Sequence, residues 1–259
     1  MVNLATQACL VLAKQEHRLG QLDESVESLI QAISHADESV DRQAKFDAYT
    51  ELIFVVGWEL AQSKEGRRWA NLAEALYKQM GEDVENKAKL DQVIGALEGR
   101  AGELESAAAR MRSSIEGFAS VDNDLELSFS LAGLGNLVMR QGNPEEALEF
   151  HLSAMQKRGN LLGEGHPSMA ELHNNMGTTF AASGDYKSAS LQLRKALEIA
   201  EGALPDDHPR VGDALSNLGA VEFAQGKSTV ALGLFQRALG IVEKSQGADH
   251  PDVALTLFN

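Results

Sequence analysis

Three His-Pro dipeptides, His166-Pro167, His208-Pro209 and His250-Pro251, recur at intervals of 42 residues. The text between them agrees as well. Residues 166–207 read HPSMAELHNNMGTTFAASGDYKSASLQLRKALEIAEGALPDD, and residues 208–249 read HPRVGDALSNLGAVEFAQGKSTVALGLFQRALGIVEKSQGAD. A further copy, HPDVALTLFN, runs to Asn259. A unit of this size repeated in tandem cannot bury its apolar face alone. It must stack on its neighbours, which points to a quasi-linear array and away from a closed globule.

Each unit reads as a pair of helices. In residues 166–207, Met169, Leu172, Met176 and Phe180 recur every three to four positions, the helical period. Pro167 suits a first helical turn, where its missing N–H is no loss. Gly184 ends the first helix, because glycine tolerates the left-handed backbone of a C-terminal cap, and Asp185 is placed to cap the second. Tyr186, Ala189, Leu193, Ala196, Leu197 and Ala200 form its apolar stripe. The preceding turn, Gly142-Asn143-Pro144-Glu145-Glu146, predicts the same arrangement: a stop, an Asn cap, a first-turn proline and two carboxylates at the positive end of the helix dipole. The period-42 His-Pro pairs read as helix-start elements. Helices about 10 Å across keep successive histidines too far apart to share one metal ion.

The small residues are the most specific part of the pattern. Gly135, Gly177 and Gly219 fall inside first helices, where glycine costs about 1 kcal/mol relative to alanine. Ala147 and Ala189 face them on second helices, which implies close approach of the paired backbones. Residues 124–165 keep the register through Gly135, Gly142, Ala147 and Ala154. Gly95, Gly102, Ala107 and Ser114 repeat it, as do Ala13, Gly20, Ser25 and Ala32. Residues 46–80 fit least well: Gly57 can take the first small place, but the loop around Gly66 is displaced. The expected organisation is a single array over 1–259, with repeats over about 4–40, 44–80, 84–120, 124–165, 166–207 and 208–249. The first helix of a seventh repeat occupies 250–259, and its apolar residues are expected to pack on a neighbouring molecule or over the preceding hairpin.

Composition excludes several classes. The chain is 44% hydrophobic, 24% charged and only 5% aromatic, which favours an all-α protein with a real core. Its formal charge of -15 is spread along its length, so no basic patch is available for a nucleic-acid backbone. The longest apolar run, residues 52–58, is far short of the roughly 20 residues of a membrane-spanning helix. The N-terminus lacks the basic stretch of a signal peptide. The lone Cys9 fits a reducing compartment, and the expected location is cytoplasmic. No glycine-rich phosphate loop, nucleophile elbow or HExxH pair occurs, so neither catalytic residues nor cofactors nor metal ligands are expected.

The Gly and Ala spacing, with HPxVA, LxNLG, QGK and RALxI, resembles the tetratricopeptide repeat in its longer, kinesin-light-chain-like variety. The resemblance implies a right-handed superhelical α-solenoid of helical hairpins, whose first helices line a concave groove that binds peptide segments of other proteins. It places Asn175 and Asn217 two residues before the glycine, with Asn259 one period later. The amides of such a row can serve both N–H and C=O groups of an extended peptide. Neighbouring groove candidates are Asn136, Asn174, Thr178, Ser216, Arg140, Arg100 and Lys89, with Glu171 and Asp213 along the rim. Equally, Asn175 and Asn217 could serve only to bridge adjacent repeats. Some members of the family hold a terminal carboxylate with a Lys–Asn–Asn–Lys–Arg clamp. Here the matching places hold Asn174, Thr178, Ser216 and Ala220, so a receptor of that kind is not expected. Glu16, Glu222 and His151 depart from the pattern by occupying aromatic or apolar places, which suggests local loosening or half-exposed faces. The stretch WELAQSKEGRRWANLAEALYKQM is similar to helical regions attached to bacterial serine/threonine kinases.

The implied function is a protein-interaction scaffold binding a protein or peptide, without nucleic acid and without membrane insertion. The alternatives are a regulatory or sensory segment of a multidomain signalling enzyme and a structural oligomerisation array. Self-association through 250–259 is a further expectation.

Overall fold

The computed structural model describes residues 4–81 and 83–246. The described residues form α-helices joined by short turns, with one π-helical stretch and no strand. In order these are α1 (Leu4–Arg18), α2 (Leu22–Ser39), α3 (Arg42–Leu52), the π-helical segment Ile53–Glu59, α4 (Ser63–Met80), α5 (Val84–Arg100), α6 (Leu104–Ser120), α7 (Asp124–Arg140), α8 (Pro144–Leu162), α9 (Ser168–Ala182), α10 (Tyr186–Ala203), α11 (Pro209–Ala224) and α12 (Ser228–Gln246). The chain divides into two compact units, Met1–Leu137 and Val138–Asn259. His250-Pro251, Asn259 and the expected helix 250–259 lie outside the described residues.

In the first unit α1 pairs with α2, α3 and the π-helical segment with α4, and α5 with α6. Gly20 and Gly102 close their turns with positive φ, as left-handed caps require. Ser25 Oγ donates to the Ala13 carbonyl at 2.9 Å, so the two small residues of that hairpin meet at a buried hydrogen bond. One apolar cluster joins Leu10, Ala13, Leu29, Ala32 and Ala36 to Ala44, Ala48 and Leu52. A second joins Phe46, Tyr49 and Ile53 to Ala70, Ala73 and Leu76, and these to Leu90, Val93, Ile94 and Leu97. Helices α3 and α5 therefore each pack on their own partner and on the hairpin before it.

The segment that fits the repeat least well in sequence has a specific cause. The helix begun by α3 widens to π geometry over Ile53–Glu59, and Ala61 takes the left-handed turn conformation (φ 56°) where the other hairpins place glycine. Gly66 is therefore not in a displaced loop but lies in the first turn of α4. Counted from Ala61, Gly66 and Ala73 hold the positions that Ala189 and Ala196 hold after Gly184. A Cβ on Gly66 would come within 2.7 Å of the Gly57 Cα. The π segment brings Gly57 to face Gly66, and only two glycines allow the backbones to close that far.

In the second unit α9 pairs with α10 and α11 with α12, while α8 packs on α9 and α10 on α11. His166-Pro167 and His208-Pro209 do start helices. The Nδ1 of His166 accepts from the Ser168 N–H, and that of His208 from the Arg210 N–H, each at 3.2 Å. Asp185 caps α10 by accepting from Ser188 N–H at 3.1 Å. Asn143 stands at the cap position of α8, but its side chain makes no cap hydrogen bond, contrary to the sequence expectation. Its carbonyl accepts from Ala147 N–H instead. Gly177 and Gly219 lie against their partner helices: a Cβ on Gly177 would meet Leu193 Cγ at 2.5 Å, and one on Gly219 the Phe235 ring at 2.8 Å.

The three departures from the pattern are neither loosened nor half-exposed in two of their cases. His151 and Glu222 are fully buried. Glu16 is half-buried, with one carboxylate oxygen enclosed.

Candidate functional site

In the first unit the first helices α1, α3, α5 and α7 carry a row of polar side chains linked from one hairpin to the next. Lys14 faces Glu51 at 3.5 Å. Lys89 donates to Asp47 Oδ1 at 2.8 Å across 42 residues. Gln43 and Asn86 exchange a pair of amide hydrogen bonds at 2.9 Å. Gln92 donates to Ser130 Oγ at 2.9 Å and to the Glu126 carbonyl at 3.1 Å. Burial disfavours the charge on Lys89, but Asp47 and Glu51 outweigh it and its pKa stands above the ordinary lysine value. Burial raises Glu126, with Lys89 and Gln92 opposing. Lys89, expected as a basic group open to a ligand, is thus already neutralised by its own chain. Arg100 lies exposed at the end of α5, with its guanidinium 5.5 Å from the Trp58 ring centroid, within cation–π range. Asn136 is half-exposed on α7.

In the second unit the candidates are gathered on α9 and α11. Asn174, Asn175, Thr178, Ser216 and Asn217 are all half-exposed, between apolar neighbours that are buried. Asn217 Nδ2 donates to Asn174 Oδ1 at 2.9 Å. Asn217 reaches Asn174, while the Asn175 Nδ2 is enclosed without a hydrogen-bond partner. Thr178 and Thr179 hydroxyls both donate to the Asn175 carbonyl, at 2.9 and 2.8 Å. Arg140 is exposed at the end of α7.

Other charged groups are inside the packing. Arg110 on α6 reaches Asp91 and Glu98, each at 3.0 Å, and Glu74 at 3.3 Å, and so ties three helices together. Glu222 accepts from Ser190, Arg194 and Lys227. Burial works to raise its carboxyl, but these three donors dominate and hold it at about 2. His151 makes no hydrogen bond through either ring nitrogen, and burial lowers it to about 4. His173 is lowered by burial, against the hydrogen bond to Gln192. Among the described residues no three His, Cys, Asp or Glu side chains are grouped to hold a metal, and no helix is long and apolar enough to cross a membrane.

The sequence did not point to Asp47 and Glu126 as neighbours of Lys89, nor to the links of Gln43 with Asn86 and of Gln92 with Ser130. A usable signal was present. Lys89–Asp47, Gln43–Asn86 and Asn217–Asn174 are 42 or 43 residues apart, one hairpin length.

Residues 126–202 and 210–259 match the tetratricopeptide repeat family. Among solved structures, BtubC (BKLC) from P. vanneervenii is 18% identical, with a TM-score of 0.64 over 91% of this chain and 93% of that one. A putative kinesin light chain from P. anserina with nearly identical TPR-like repeats is 16% identical, with a TM-score of 0.57 over 78% and 97%. NprR in complex with its cognate peptide NprX is 14% identical, with a TM-score of 0.70 over 100% and 73%. At these identities the likeness is one of fold. No curated protein matches the chain.

Proposed function

We propose that this chain, whose residues 126–202 and 210–259 match the tetratricopeptide repeat family, is a protein-interaction module holding an extended segment of a partner along its first helices. It acts by binding alone, without cofactor or covalent chemistry. The observation that carries this reading is the amide pair Asn217–Asn174. The bond fixes both side chains on adjacent first helices. It leaves the Asn174 NH2 as a donor and the Asn217 carbonyl as an acceptor, the complement of a peptide backbone. Thr178 and Ser216 stand beside them, half-exposed.

In the first unit Asn136, Lys89 and Arg100 are the contact residues, with Asp47, Glu51 and Glu126 beside Lys89; Arg140 adds a cation in the second. The chain's charge of -15 favours a basic partner and association that weakens with salt. The single cysteine suits work in the reducing cytoplasm. The peptide partner of NprR supports the class of ligand by fold alone.

The test is selection of a displayed random-peptide library on the intact protein, followed by calorimetry with the selected peptides. The double substitution Asn174→Ala/Asn217→Ala is expected to weaken binding about tenfold or more, equivalent to about 1.4 kcal/mol, with helicity unchanged. Unchanged affinity would remove the asparagines from the site. Failure to select any peptide at all would overturn the reading itself.

A further inference from the structure

Helix α1 has two apolar faces, and only one is covered by other described residues. Thr6, Leu10 and Ala13 are buried, in contact with α2 and α3. On the opposite side Leu4, Ala8, Val11, Leu12 and Leu19 are exposed, Leu4 by 84% and Val11 by 65%. Their spacing sets them in one stripe along the helix and its C-terminal turn.

The chain itself shows what this stripe does elsewhere. Ala13 and Gly20 correspond to Gly95 and Gly102, so Ala8, Val11 and Leu12 correspond to Leu90, Val93 and Ile94 of α5. Those three are buried in the cluster that contains Phe46, Tyr49, Ala70, Ala73 and Leu76 of the preceding hairpin. In the second unit the counterpart of Leu12 is Leu218, which packs with Ala189 and Leu193 of α10. Over Ala8, Val11 and Leu12 the stripe is the counterpart of the hairpin-stacking surface of α5, and among the described residues no element covers it on α1.

We propose that a second copy of this chain covers it, with the α1–α2 hairpins of two protomers packed face to face about a two-fold axis. Symmetry and charge both select this occupant. An isologous contact buries both stripes at once, whereas a head-to-tail contact leaves one open at the end of every assembly. Helix α1 carries Lys14 and Arg18 against one acid, Glu16, while α2 carries Asp23, Glu24, Glu27, Asp37 and Glu38. Lys14 meets Glu51 of its own chain yet keeps 55% of its side chain exposed. In the two-fold arrangement the acidic α2 of each protomer borders the basic edge of its partner's α1, so the rim attracts while the stripe is buried.

Sedimentation velocity on the full chain across the micromolar range tests this. The expected result is a concentration-dependent monomer–dimer equilibrium. Val11→Glu and, separately, Leu4→Glu each place a charge in the stripe at a position that is mostly exposed in the protomer. Both are expected to weaken the dimer at least about tenfold while circular dichroism and the melting temperature stay unchanged. A wild-type chain that remains monomeric throughout, or a dimer indifferent to both substitutions, would overturn the proposal.

Discussion

Asn217 donates from Nδ2 to Oδ1 of Asn174 across 2.9 Å, joining first helices of successive hairpins through residues 43 apart. The Gln43–Asn86 amides do the same in the first unit, also 43 apart. Polar side chains thus lace first helices together at the repeat interval, while Ala and Gly hold each hairpin closed. One consequence is that binding and stability are separable at Asn217. Asn217→Ala removes one half-exposed hydrogen bond and is expected to cost about 0.5–1.5 kcal/mol, measurable by urea denaturation. Its effect on a selected peptide should exceed its effect on folding.

Glycine substitutions should divide by what surrounds them. Gly177→Ala drives a methyl into Leu193 and toward the Ala189 carbonyl, and should destabilise by about 1–3 kcal/mol. Gly202→Ala on α10 meets nothing within 4 Å and should stabilise by about 0.4–1 kcal/mol. Thermal melts of the two variants should move in opposite directions.

His151 should make the protein acid-sensitive above the carboxylate range. Its ring is buried without a partner and titrates at about 4, against an ordinary 6.5. The unfolded chain therefore binds the extra proton first. Stability is complete above about pH 6.5 and falls as the pH drops toward 4, by up to about 3 kcal/mol. His151→Leu supplies the residue found one period later, Leu193. The variant should melt higher and lose that part of the pH slope. A slope unchanged by the substitution would show that other groups cause it.

Glu222 works in a lower window. Its carboxyl is held at about 2, below an ordinary 4.5, by Lys227, Ser190 and Arg194. It stabilises the fold above about pH 4.5, and this contribution is lost as the pH falls toward 2. Arg194→Ala/Lys227→Ala leaves the buried carboxylate with Ser190 alone. The melting temperature should drop at neutral pH, and the drop should shrink in acid, where Glu222 is protonated in either protein.

The His-Pro pairs should behave as caps. His208→Ala removes the acceptor for Arg210 N–H and should cost about 1 kcal/mol, the usual scale for losing an N-cap. Hydrogen exchange at the start of α11 is the most local readout.

Most of this fold was legible in the sequence because its regularity is local. Gly184 followed by Asp185 specifies a turn, the 3.6-residue apolar stripes specify helices, and the recurrence of Gly177 and Gly219 specifies close pairing. The second hairpin resisted for a physical reason: Ala61 replaced the turn glycine, and a π-helical segment re-registered Gly57 against Gly66. Neither event leaves a periodic trace.

What the sequence by itself determined is the unit, its period and which residues must face a neighbour. Those follow from burial of apolar area and from backbone conformations that few residues adopt. Only the tertiary structure decided which polar groups meet. Lys89, Asn174 and Glu222 each take partners from another hairpin, and a carboxylate or amide can satisfy several geometries that sequence does not distinguish. The same holds for α1: its second apolar stripe is plain in the sequence, but that no described residue covers it is visible only once the other described helices have taken their places.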